Sequence, residues 1–131
     1  MPVTPHAWQD QPLPVFPSVL GNAHYYEDAA ATGGSAIGYI NAPGCGIEWR
    51  ALPAGSNIKI RYAAEKPAQL TLQIHGNPPQ KIAFPATGKW QGHGAYAEVT
   101  VPVKLPAKAV VSLTFNAGDA PANIDSLVVI Q

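Results

Sequence analysis

The residues of this 131-residue chain with chemistry to offer are eight carboxylates, four histidines, three tryptophans and five tyrosines. The carboxylates are Asp10, Glu27, Asp28, Glu48, Glu65, Glu98, Asp119 and Asp125. Cleaving a glycosidic bond takes two carboxyl groups flanking a cleft, and no local pattern singles out such a pair here. The histidines, His6, His24, His75 and His93, lack the spacing of a metal-binding pair on one helix face. There is neither a Gly-x-Ser-x-Gly elbow nor a phosphate-binding loop. The chain is therefore not expected to be an enzyme. A catalytic sandwich would need a buried carboxylate pair with separated pKa values in a cleft.

The aromatic residues are more informative. Sugar rings present apolar C–H faces, which flat aromatic side chains cover while polar neighbours fix the hydroxyls. Tyr62 and Trp49 alternate with other apolar residues at period two, so both are expected in the core. Tyr39, Trp90 and Tyr96 instead sit beside glycines, in predicted loops, where binding residues collect. The single cysteine, Cys45, can form no intrachain disulfide and reads as a small buried residue.

Composition narrows the class. Formal net charge is zero, so bulk charge attracts neither nucleic acid nor an anionic membrane. No apolar run approaches the roughly 20 residues that span a bilayer. At 47% hydrophobic and 12% charged, the chain can build a core. Residues 1–20 lack a basic segment followed by an apolar run, so they do not read as a signal peptide. Met1 is expected to be an added start, or the chain a piece of a longer protein.

Twelve glycines and fourteen prolines favour turns over helices. Residues 1–22 carry Pro2, Pro5, Pro12, Pro14 and Pro17 and read as a linker or a surface strap, with Trp8, Val15 and Phe16 giving it something to pack. Residues 23–131 read as the folded unit. Asn57–Tyr62, Gln69–His75 and Glu98–Val103 alternate polar and apolar, and Val111, Leu113 and Phe115 share a face, as strands with one buried side do. Ile124–Ile130 is nearly all apolar, which suits a strand covered on both sides. Turn-formers at 53–56, 76–79, 86–89 and 117–121 separate these runs. Short strands at this spacing predict an all-β sandwich of two antiparallel sheets.

Four strings then resemble, in order, carbohydrate-binding modules of families 35 and 6. They are Gly38-Tyr39-Ile40-Asn41 with Gly44–Trp49, Ile60-Arg61-Tyr62-Ala63, Phe84-Pro85-Ala86-Thr87-Gly88-Lys89-Trp90-Gln91, and Ala122–Leu127. The resemblance implies a β-jelly-roll with a sugar site in the loops at one end. It makes Tyr39 one platform for the sugar and Asn123 the polar residue that reads hydroxyls, with Trp90 in the intervening turn. In the family a second aromatic follows that turn; here His93 holds the place, with Tyr96 just beyond. The family often carries a structural calcium ion, and His24-Tyr25-Tyr26-Glu27 resembles its first-strand segment. Glu27 and Asp125 would then be ligands, with backbone carbonyls completing the shell. A uronic acid in the site would call for a cation or an arginine, and Arg50 and Lys89 are close in sequence. The resemblance implies a non-catalytic module that targets an attached carbohydrate-active enzyme to polysaccharide or oligosaccharide. Such a parent would be extracellular or periplasmic. The alternative is a sandwich that packs on a catalytic domain and binds no sugar.

Overall fold

The computed structural model describes residues 17–131. Ten strands follow in order: β1 Ser18–Leu20, β2 His24–Glu27, β3 Ser35–Gly38, β4 Gly46–Leu52, β5 Gly55–Ala63, β6 Ala68–Ile74, β7 Gln80–Phe84, β8 Tyr96–Leu105, β9 Ala109–Thr114 and β10 Asn123–Ile130. One sheet runs β1-β4-β9-β6-β7 and the other β2-β3-β10-β5-β8, and the described pairings are antiparallel. This is the sandwich that the alternation predicts. A single 3-10 turn, Thr32–Gly34, links β2 to β3. No helix among the described residues is long and apolar enough to cross a membrane.

The core lies between the sheets and follows period two. Ile47, Trp49 and Leu52 of β4 face Ile58, Ile60 and Tyr62 of β5, and Leu70, Leu72, Val111 and Leu113 complete the fill. Each such side chain, fully buried, contributes roughly 1.5–3 kcal/mol. Trp49 and Tyr62 are core residues, and Cys45 is buried. β10 is the central strand of its sheet, and Ile124 to Val129 are all buried. Its inner face joins the core, and its outer face is covered near Asp125 by the turn after β2.

Residues 1–16 of the proline-rich stretch lie outside the described residues, and so do His6, Trp8, Asp10, Val15 and Phe16. The end of that stretch forms β1, in register with β4 through Val19 and Ile47.

A hydrogen-bonded clasp holds the 116–120 turn onto the β6–β7 edge. The Asp119 carboxylate is closed off from solvent and accepts from Gln69, Thr71, Lys81 and the Asn116 amide. Burial alone raises its pKa, but these donors together outweigh burial and hold it below the ordinary 3.8. A lowered folded-state value means the unfolded chain binds the extra proton first. The contribution is therefore complete above the unfolded value and lost as pH falls through the folded one. The melting temperature should hold from neutral pH down to about pH 5 and decline below about pH 4. Asp119→Asn should flatten that acid limb in thermal melts; an unchanged limb would remove Asp119 from the account.

Candidate functional site

One end of the sandwich gathers a pocket of about 340 Å³, lined by Tyr26, Tyr39, Ile40, Asn41, Trp90, Gln91, Pro121 and Asn123. Its size falls at the lower end of the roughly 300–1,000 Å³ typical of small-molecule sites. No lining side chain carries a formal charge.

The sequence explains how each wall is placed. Gly38 ends β3 where a Cβ would lie 3.0 Å from Asn123 Oδ1 and 3.2 Å from the Tyr26 ring, so glycine is what lets these three strands meet. The next residue, Tyr39, has φ of +64° and is 53% exposed. His24 stacks on one face of its ring, with centroids 4.0 Å apart and planes 12° apart. The other ring face is left open for a ligand. His24 Nδ1 lies 2.8 Å from the Asn22 carbonyl, to which it donates.

The Trp90 wall is pinned from below. Thr87 N donates to the Ala64 carbonyl at 2.7 Å, while Thr87 Oγ1 accepts from Ala64 N at 3.1 Å. Tyr62 Oη donates to the Pro85 carbonyl at 2.6 Å. The Phe-Pro-x-Thr-Gly-x-Trp turn is thus fixed to the end of β5, and Gly88 supplies its left-handed step at φ +89°. Asn123 Nδ2 donates to the Trp90 carbonyl at 2.8 Å. Asn123 therefore spends its amide nitrogen on the wall, which leaves Oδ1 as the atom able to accept from a ligand hydroxyl.

Beneath this floor lies a second network. Asp28 Oδ2 accepts from Gly92 N and Tyr96 Oη, each at 2.7 Å, and Tyr26 Oη donates to Tyr96 Oη at 2.9 Å. Burial pushes the Tyr96 phenol far above its ordinary 10.0, and the bonds to Tyr26 and Asp28 add to it. Burial acts to raise Asp28, but Gly92 N, Tyr96 Oη, Ala30 N (which donates to Oδ1 at 3.0 Å) and nearby Arg61 hold it below 3.8. The phenol therefore stays a proton donor and the carboxylate an acceptor.

Of the five expected sugar contacts, Tyr39, Trp90 and Asn123 share the pocket, and His93 and Tyr96 do not line it. Tyr96 opens β8 and turns beneath the floor, its hydroxyl taken by Asp28. His93 is exposed, and its carbonyl accepts from Lys89 Nζ at 3.0 Å. Tyr26, Ile40, Asn41, Gln91 and Pro121 were not anticipated. Ile40 adjoins Tyr39 and Gln91 adjoins Trp90, and that adjacency was the available signal. Arg50 pairs with Glu48 at 2.8 Å on the other sheet, so neither Arg50 nor Lys89 brings charge to the pocket.

Of the two expected calcium ligands, Asp125 is engaged by donors of the chain itself and Glu27 stands exposed. Asp125 accepts from Thr32 N, Thr32 Oγ1 and Arg61 Nη1, the last a salt bridge of 2.5 Å. Glu27 is exposed, and it pairs in the backbone ladder with Ser35. Among the described residues, no group of three His, Cys, Asp or Glu side chains converges as a metal site.

Residues 21–126 match the sequence profile described as carbohydrate binding module (family 35). The chain belongs to that family, whose members are normally non-catalytic. No curated protein matches it in sequence. Among solved structures it resembles a family 35 carbohydrate binding module from Clostridium thermocellum, at TM-score 0.77 and 20% identity over 88% of this chain and 92% of that one. It also resembles part of the exo-beta-1,3-galactanase of Phanerochaete chrysosporium solved with galactose, at TM-score 0.72 and 17% identity. That match covers 88% of this chain and 29% of the galactanase. A third likeness is to the cycloalternan-forming enzyme of Listeria monocytogenes in complex with pentasaccharide substrate, at TM-score 0.77 and 27% identity. It covers 88% of this chain and 11% of that enzyme. The jelly-roll fold is therefore that of a family 35 module.

Proposed function

We propose that this module binds a neutral sugar residue in the Tyr39–Trp90–Asn123 pocket and so holds an attached carbohydrate-active catalytic domain on its polysaccharide. The observation that carries this reading is the pocket wall itself. An exposed ring with one free face, a second aromatic and a side-chain carbonyl oxygen converge in a pocket of about 340 Å³, room enough for a sugar ring. That combination is how proteins hold a sugar, with apolar faces covered and hydroxyls paired. The absence of charge among the lining residues favours a neutral sugar over a uronic acid, whose carboxylate would be desolvated without a partner. The galactanase relative was solved with galactose, which is such a neutral hexose.

A single small site gives weak affinity, because few contacts offset the cost of association. Its use is to raise local concentration by tethering. The reading places the module outside the cytoplasm, within a secreted parent. It is preferred to a sandwich that only packs on a neighbour because Tyr39, the most exposed of the large hydrophobic side chains described, sits at this pocket.

A panel of neutral and uronic-acid polysaccharides tests the reading by affinity electrophoresis. The folded protein should be retarded by at least one neutral glycan, and Asn123→Ala should abolish the retardation. Retardation by uronic-acid glycans alone would contradict the neutral-sugar reading, and retardation by none would contradict sugar binding.

A further inference from the structure

Arg61 lies on the outward face of β5, between the core positions Ile60 and Tyr62. Beside it on β10 the pairing slips, with Ile124 opposite Tyr62 but Ser126 opposite Arg61. Asp125 is the extra residue of a β-bulge, and a bulge re-aims its side chain. The Asp125 carboxylate, fully buried, is turned onto Arg61 Nη1 at 2.5 Å. Two further oxygens face the same nitrogen: the Ala30 carbonyl and Thr32 Oγ1, each at 3.3 Å. A carboxylate, a hydroxyl and a carbonyl from separate segments converging on one positive centre is the ligand chemistry of a hard cation. Here the positive centre is covalently part of the chain.

We propose that Arg61 is a built-in substitute for a structural cation, so that the turn after β2 is held at the pocket end without calcium. The guanidinium carries a permanent charge and matches the carboxylate one to one. A divalent ion placed among the same oxygens would face that charge at contact distance, with the Asp125 carboxylate already neutralised. The arginine also reaches what a small ion would not. Its guanidinium lies 4.6 Å from the centroid of the Tyr96 ring, in cation–π range. Through Tyr96 and Asp28 the clamp reaches Gly92 and so the loop that carries Trp90. The inference concerns stability alone and stands whether or not the pocket takes a sugar.

Thermal unfolding of the full chain in EDTA and in about 5 mM calcium, above the roughly 10⁻⁴–10⁻³ M of extracellular sites, tests it. Wild type should melt within about 1 °C in the two buffers. Arg61→Ser removes the charge and frees the three oxygens, with room for water to complete a shell. It should melt several degrees lower in EDTA and recover at least half of that loss in calcium, and Arg61→Ser with Asp125→Asn should recover none. A wild-type rise of several degrees in calcium that disappears in Asp125→Asn overturns the proposal, as does a folded Arg61→Ser variant indifferent to calcium. If Arg61→Ser folds in neither buffer, the wild-type pair of melts decides.

Discussion

Tyr39→Gly is expected to weaken sugar binding about tenfold while changing stability by no more than about 1 kcal/mol. The binding loss follows from area: a ring face covering on the order of 60 Å² of sugar, at about 25 cal/mol/Å², contributes about 1.5 kcal/mol, or roughly tenfold. The stability balance is set by the backbone. Tyr39 is held at φ +64°, where an L-residue is disfavoured by about 1–2 kcal/mol and glycine is not. Against that relief stand the greater unfolded-state freedom of glycine, about 0.5–1 kcal/mol, and the lost stack on His24, about 0.5–1 kcal/mol. The terms nearly cancel. A half-exposed aromatic kept in a glycine conformation contributes little to the core, so its use lies at the surface. Isothermal titration with the best neutral oligosaccharide, alongside thermal melts, measures both quantities. Unchanged affinity would remove Tyr39 from the site, and a large fall in melting temperature would make it a structural residue.

Asp125→Ala should destabilise the fold by about 3 kcal/mol. Breaking a buried ion pair from one side costs about 3–5 kcal/mol, because the remaining charge is left without a partner. Arg61 retains 29% side-chain exposure and can reach water, which places the expected cost at the lower end. The Thr32 amide and hydroxyl lose their acceptor as well. For a chain of this size the melting temperature should fall by on the order of 10 °C. A fall under about 3 °C in calorimetry would show that the pair is solvated and not a clamp.

What could be read from the sequence divides along the range of the interactions. Period-two alternation placed Trp49 and Tyr62 in the core because a strand's faces are set by neighbours two residues away. β10 read as a strand covered on both sides because its apolar run leaves no wet face. Tyr39, Trp90 and Asn123 were named through ordered local strings, and they meet in one pocket. Tyr96 and His93 were named by proximity to the same turn. Whether an aromatic faces a pocket or a floor is decided by partners such as Asp28, which lies 68 residues from Tyr96. Nothing local encodes that partner. The pairing of Asp125 with Arg61 was hidden in the same way, since it depends on a bulge between two strands 64 residues apart. β7 was missed because Gln80–Phe84 is only five residues long and edges its sheet beside Pro78 and Pro79.

The proposed function turns on the loop-end pocket holding the sugar. A ¹⁵N-resolved NMR titration with a neutral oligosaccharide tests it residue by residue. The Trp90 indole and the amides of Tyr39, Asn41, Gln91 and Asn123 should shift together and saturably, while the buried Trp49 indole stays still. A second groove on the opposite sheet, lined in part by Thr71, Gln73, Ser112 and Asn116, provides the internal comparison. Shifts gathered there, with the pocket amides silent, would show that the sugar binds outside the loop-end pocket.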